Sequence, residues 1–324
     1  MDIYDRTFNL LANIPVFDSW PELKLILERS VANRPHDWML PVVGCQVVEG
    51  NTDHTICAVA AIACMQISII LIDDILDQDP RGSYHQFGIP QTANMSLEFQ
   101  SIGLDVITRA KINFSTKLAV IDSFNKMMLT VALGQYLDIQ NPANEPAFWQ
   151  LVRTKSSPFF CTALYVGFLL GGGPDRLADP IREFGNLYGE MIQIHDDIND
   201  SMASPANPDW MLGRLPLPIL FASTVNHPHR EEFLAKRKEI PDPVALTEVQ
   251  EMLIQCGAIS YCIHHLLARY QAAQELIEKT AFPNKVGLYA MLDKVLKPVM
   301  DIYSSLGVPV PEYPVLKIKD LSEY

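Results

Sequence analysis

The longest apolar stretch in this chain runs from Ile56 to Ile72, is interrupted only by Gln66 and Ser68, and ends abruptly on Asp73, Asp74, Asp77 and Asp79. A run with no polar face predicts a helix buried on every side of a large bundle. It is marginal for crossing a bilayer, which takes about 17 to 25 residues, and acidic residues follow it at once, so it is read as a core helix and not as a membrane anchor. Elsewhere, helix-period segments alternate with Pro, Gly and Asn punctuation and few alternating β-branched runs occur, which predicts an all-α architecture. The predicted helices cover 17–32, 40–48, 53–78, 92–112, 115–138, 146–170, 178–202, 214–224, 244–278 and 284–305.

The 23 prolines fit this pattern because they gather between helices, as at Pro80, Pro142, Pro146, Pro174, Pro208 and Pro241, where the missing N–H is harmless. No repeat period and no Gly/Ser linker divides the 324 residues. They read as one domain over 1–306 followed by a Pro-spaced tail over 307–324.

The net charge of -13 excludes a nucleic-acid partner, which needs clustered Lys and Arg, and means that an anionic ligand needs local cations. Cys45, Cys57, Cys64, Cys161, Cys256 and Cys262 form no CxxC pair and fall mostly in apolar segments. They read as small buried hydrophobes in a reducing compartment. The N-terminus lacks a basic region followed by an apolar stretch, so the expected location is cytoplasmic.

In LIDDILDQD, Asp73 and Asp77 are four apart and Asp74 and Asp77 three apart, so all three carboxylates project from one helical face. Carboxylates held that close repel one another unless cations intervene. Mg²⁺ suits them, because it takes one or two carboxylates and completes its shell with water and phosphate oxygens. Asp196, Asp197 and Asp200 in GEMIQIHDDIND repeat the spacing, with Gln193 on the same face. Two such faces on facing helices are the economical way to grip one polyanion through bridging metals.

With these residues in hand, the sequence closely resembles the trans-isoprenyl diphosphate synthases, or polyprenyl synthetases, over about residues 30 to 220. The first family motif is matched by Asp73, Asp74 and Asp77 with Arg81-Gly82, although the loop is short and one Arg stands for a pair. Gly134-Gln135 and Asp138 match the GQxxD segment, Lys155-Ser156 falls at the diphosphate-binding Lys, and Gly171 to Gly173 follow. The second motif is matched by Phe184-Gly185, Gly189, Gln193, Asp196-Asp197 and Asp200. The trailing DxxxGKxxLP is matched by Asp209, Gly213, Leu217 and Pro218, with Arg214 for Lys. The resemblance implies a bundle of about ten or more helices around one deep cavity, commonly a homodimer. It further implies a prenyl diphosphate substrate, and Mg²⁺, about three ions, held by Asp73, Asp74, Asp77, Asp196, Asp197 and Asp200. Lys155, Gln193, Arg214 and Arg81 would meet the diphosphate.

The chain departs from elongating members where they hold isopentenyl diphosphate. Position 66, seven before the first Asp, is Gln where they have His. In VANRPHDWMLP the Lys of their GGKxxRP is missing: aligned on Pro41 it becomes Asp37, and aligned on Pro35 it becomes Val31, with Arg34 retained. Such a site should hold one diphosphate and not two. The leading expectation is ionisation followed by cyclisation. Transfer to another acceptor, ordinary elongation and a non-catalytic regulatory role are the alternatives. Residues four, five and eight before Asp73 (Ile69, Ser68 and Met65) are expected beneath the diphosphate. None is aromatic, which favours a C15 to C20 or longer substrate. Trp149, Phe159, Phe160, Tyr165 and Phe168 could face a cation but read mainly as core, and His195, His264 and His265 read as structural.

Overall fold

The structure, a computed structural model, describes residues 2–305 and is helical throughout, with no strand among the described residues. This is the all-α architecture expected. The described chain divides into two compact units. The tail over 307–324 lies outside the described residues.

The first unit holds the chain up to Leu129 with Phe159–Gly185 and Thr280–Leu288. It contains α1 (Ile3–Ala12), α2 (Val16–Ser19), α3 (Pro21–Ala32), α4 (Leu40–Gln46), α5 (Ile56–Leu76), α6 (Tyr84–Phe87), α7 (Ile89–Arg109) and the first part of α8 (Phe114–Ile139). The apolar run becomes α5, buried from Cys57 to Met65 without a break. It is long and apolar enough to cross a membrane, yet 72% of that window is buried inside the protein, the pattern of a core helix. Its main neighbour is α7. Gly103 lets the two backbones close, since a Cβ there would lie 3.1 Å from the Met65 Cε and 3.2 Å from the Ala61 carbonyl. Lower down, the Ser68 and Ser96 hydroxyls pair at 2.9 Å in the same seam.

The second unit holds Thr130–Pro158, Asn186–Lys279 and the described chain from Tyr289. It includes α9 (Glu145–Lys155), which is followed by α10 (Ser157–Leu170). The last part of α11 (Ala178–Met202) comes next, then α12 (Pro208–Leu212), α13 (Leu217–Thr224), α14 (Arg230–Lys236), α15 (Pro243–Gln255), α16 (Ala258–Lys279) and most of α17 (Val286–Ser305). Trp210, Ile219, Phe233, Val249 and Leu253 form one of its apolar clusters.

Three expected helices are each split, the segment 17–32 at Trp20 before Pro21. The segment 146–170 breaks at Ser156, because Pro158 has no N–H to continue α9 and Pro restricts the residue before it. The segment 244–278 breaks at Gly257, whose φ of +85° ends α15. The helices α1, α6, α12 and α14 were not expected. All are short, and α1 starts on a cap, the Asp2 carboxylate accepting the N–H groups of Tyr4 and Asp5. All six cysteines are free thiols, and four of them are buried.

Candidate active site

In the first unit, α5 ends where its apolar sequence ends. Asp73 and Asp74 occupy its last turn, and the Asp77 N–H closes it on the Asp73 carbonyl at 2.8 Å. Carboxylates here meet the negative end of the helix dipole. Burial first, then the neighbouring Asp79 and Asp73, push the Asp74 carboxyl up to about 6. Arg81 is 86% exposed and pairs with Asp79 through Nη2 at 2.7 Å and Nε at 3.0 Å. The basic residue of the motif thus meets an aspartate outside the expected set.

The three residues expected as the floor are placed differently. Met65 and Ser68 are buried in the α7 seam, because at 100° per residue they lie well off the Asp73 face. Ile69 is half-buried, as is Gln66, and Ile70 is exposed. These three share the Asp73 stripe by the same arithmetic.

Gln66 is itself held in a polar network. The Trp38 indole N–H donates to its Oε1 at 2.7 Å, and its Nε2 donates to an Asp37 carboxylate oxygen at 2.9 Å. Arg34, the cation retained near this network, pairs with Asp2 at 2.8 Å and lies over the Tyr4 ring at 4.4 Å. The Tyr4 hydroxyl donates to the Pro35 carbonyl at 3.1 Å, so α1 holds down the loop that carries Asp37 and Trp38.

In the second unit, Gly134 sets the first contact. A Cβ there would collide with the Lys155 backbone, so only glycine brings α8 this near to α9. One turn on, Asp138 accepts from the Lys155 Nζ at 2.6 Å and pairs with the Arg214 Nη1 at 3.1 Å. The two expected diphosphate-binding cations therefore converge on one carboxylate. Asp209 lies close by, its carboxyl pushed up to about 6 by burial first, then by Asp200 and Asp138, with Lys155 and Arg214 opposing.

Asp197 is placed differently from its neighbours. It is 4% exposed. One oxygen accepts from the Gln193 Nε2 at 2.7 Å and the other from the Leu217 N–H, the start of α13, at 2.8 Å. The Gln193 Oε1 accepts in turn from the Ser156 hydroxyl. Burial dominates these bonds and pushes the Asp197 carboxyl up to about 7. Asp197 thus accepts from two protein donors and ties α11 to α9 and α13. His195 bonds the Val295 carbonyl at 2.7 Å and His265 is buried beside Arg269 at 3.2 Å, both structural as expected. Of the aromatics considered for a cation, Trp149, Phe159, Phe160 and Phe168 are buried core.

Sequence reasoning passed over Asp138, Asp209, Ser156 and Trp38 as site residues. The first two stood in recognised motifs without a role. The signal for Asp138 was its position one helical turn after Gly134.

The carboxylates fit a hard divalent ion. Asp74 and Asp209 are each raised by burial and by other aspartates, which marks negative charge in excess of local cations. Among the described residues no group of three or more His, Cys, Asp or Glu could enclose a metal by itself. An ion that shares its shell with a phosphate needs no such group.

A family model, polyprenyl synthetase, matches residues 32–253. The geranylgeranyl diphosphate synthase of Methanosarcina mazei is 24% identical over 183 residues, covering 54% of this chain and 55% of that protein. Against this relative the chain therefore spans about half its length. The short chain isoprenyl diphosphate synthase of Methanothermobacter thermautotrophicus is 23% identical over 74% of this chain and 78% of its own. Among solved structures, geranylgeranyl pyrophosphate synthetase from Pyrococcus horikoshii superposes with a TM-score of 0.77 at 18% identity, covering 91% of this chain and 94% of that one. Polyprenyl synthase from Caulobacter crescentus, solved with calcium and isoprenyl diphosphate, gives 0.77 at 15% identity, with 91% and 93% covered. At these identities the structures establish the shared fold.

Asp197 yields a pH test. Its folded pKa of about 7 lies above its ordinary 3.8, so its contribution to stability is full below about pH 4 and is lost as pH rises through 7. Asp197→Asn keeps an acceptor for Leu217 and removes the charge. In chelator-treated protein, the wild type should lose thermal stability relative to this variant between about pH 5 and pH 8. Parallel melting curves across that range would refute the placement.

Proposed function

This chain belongs to the polyprenyl synthetase family, and from that premise we propose that it is an enzyme that binds an allylic prenyl diphosphate with Mg²⁺ and promotes cleavage of its C–O bond. The observation that carries the reading is the convergence of Lys155 and Arg214 on Asp138 beside Asp200 and Asp209. Asp138 keeps two cations aligned, and a diphosphate, with more charge and more acceptor oxygens, is the ligand that can take them over. Asp73, Asp74 and Asp77 in one motif, and Asp196, Asp197 and Asp200 in the other, are the residues that would hold the metal. Mg²⁺ supplies Lewis-acid stabilisation of charge growing on the leaving oxygen. Lys155 and Arg214 add fixed positive charge to the same oxygens. Gln193, braced by Asp197 and Ser156, is preorganised and needs no rearrangement as charge develops.

Two endings have support. The relatives named above are prenyl diphosphate synthases, which favours transfer to isopentenyl diphosphate and chain elongation. The network of Trp38, Gln66 and Asp37 favours an ending without a second diphosphate, namely cyclisation or a neutral acceptor. It sets a carboxylate and an amide where elongating members have Lys and His, and the nearby Arg34 is spent on Asp2.

A homodimer is the expected assembly. Leu129, Leu133 and Tyr136 are exposed on one side of α8, with Leu129 at 74% exposure, and the exposed Asp122–Lys126 ion pair separates them from the exposed Phe114 and Leu118. Exposed apolar residues gathered on one helix support a surface that becomes covered.

Purified protein with Mg²⁺ and geranyl, farnesyl or geranylgeranyl diphosphate, each with and without isopentenyl diphosphate, tests the reaction. Release of inorganic diphosphate is expected, and Asp74→Ala or Lys155→Ala should lower it by about a hundredfold or more. Unchanged turnover in both variants would sink the reading. A hydrocarbon or alcohol formed from one substrate alone supports cyclisation, whereas a longer diphosphate formed only with isopentenyl diphosphate supports elongation. Asp37→Lys combined with Gln66→His should raise isopentenyl-dependent product by about tenfold, and no rise would show that the network does not govern the acceptor. Sedimentation should give a dimer that Leu133→Glu converts to monomer. A wild-type monomer at micromolar concentration would overturn the assembly.

A further inference from the structure

The first unit contains a cavity of about 450 Å³ at the end of α5 remote from the aspartates. Its apolar wall is made by Leu10, Ile14, Ile56, Cys57, Val106 and Ile112. By helical rise, Cys57 lies about 24 Å from Asp73 along α5, so the reacting diphosphate and this cavity occupy opposite ends of one helix. The volume is within the usual range for small-molecule sites, about 300 to 1,000 Å³.

The rim departs from the acidic character of the chain, which carries a net -13. Both lining carboxylates are already compensated, Asp53 by Arg6 at 3.1 Å and Asp105 by Arg109 at 2.8 Å. Two ammonium groups remain without an acidic partner among the described residues. Lys111 lines the cavity. Lys117 donates to the neutral Thr108 carbonyl at 2.6 Å and lies near enough to act on the Cys57 thiol in the wall. His54 and Asn13 add polar groups at the same mouth. An apolar interior beneath a mouth with surplus positive charge selects for shape and head group together.

We propose that this cavity is a second binding site, separate from the catalytic one, for an aliphatic molecule with a single anionic head. Its chain packs against Ile56, Cys57 and Val106 while its head is held at Lys111, with Lys117 outside the lining. The two sources of such chemistry are a fatty-acid carboxylate and a prenyl monophosphate. Leu10 on α1, 39% exposed, gains cover when the chain is bound.

The site is tested on the full chain by calorimetric titration with dodecanoate, geranyl monophosphate and uncharged dodecanol. A non-cleavable thio-analogue of farnesyl diphosphate and Mg²⁺ are present throughout to fill the catalytic site. At least one anion should bind at one equivalent, and dodecanol at least tenfold more weakly. A preference for dodecanoate assigns the site to fatty acids, and a preference for the monophosphate assigns it to prenyl phosphates. Lys111→Glu and Leu10→Glu are surface changes that should preserve turnover and folding and weaken the anion at least tenfold. Absence of binding, competition by the thio-analogue, equal affinity for dodecanol, or unchanged affinity in both variants would each overturn the proposal. Because the readout is binding and not turnover, its failure is distinguishable from failure of the proposed reaction.

Discussion

Asp197 takes the Gln193 amide on one oxygen and the Leu217 N–H on the other, in an interior that resists its charge. A buried carboxylate is tolerated only when its acceptors are used, and using them joins three helices. Gln193 is held against Ser156 at the break after α9, and α13 is anchored at its first turn. Lys155 is the residue before that break, and Arg214 lies three residues before Leu217. The two cations that meet on Asp138 are therefore positioned by chain segments that Asp197 secures.

The same electrostatic constraint shapes the first unit in another way. Asp73 and Asp74 sit at the end of a helix, and Arg81, paired with Asp79, only partly offsets the burial and neighbouring charge that raise the Asp74 carboxyl. A carboxyl raised beside other carboxylates suits the joint binding of a divalent ion and a polyanion. Nearby, the Gln66 amide accepts from the Trp38 indole N–H and donates to Asp37.

Helix seams hold these groups through glycine. A Cβ at Gly44 would meet the Leu164 carbonyl and one at Gly167 the Pro41 carbonyl, so α4 and α10 cross backbone to backbone, just beyond the Asp37–Trp38 turn. Gly134 does the same for α8 and α9. Removing side chains at crossings trades conformational entropy for an accuracy that loops alone do not give.

The sequence by itself determined the all-α architecture, the buried α5 and the two aspartate faces, because each rests on spacing along a single helix, and helical periodicity is local physics. Family membership was legible for the same reason, in short motifs with fixed order. The tertiary structure alone decided how each carboxylate is held. Asp197 and Asp196 are adjacent and chemically identical in sequence, and Asp197 accepts a backbone N–H from twenty residues away. Lys155 and Arg214 read as separate cations until Asp138 joined them. That Met65 and Ser68 meet α7 was not legible from spacing. Each of these outcomes depends on desolvation and on partners distant in the chain, quantities that spacing does not carry.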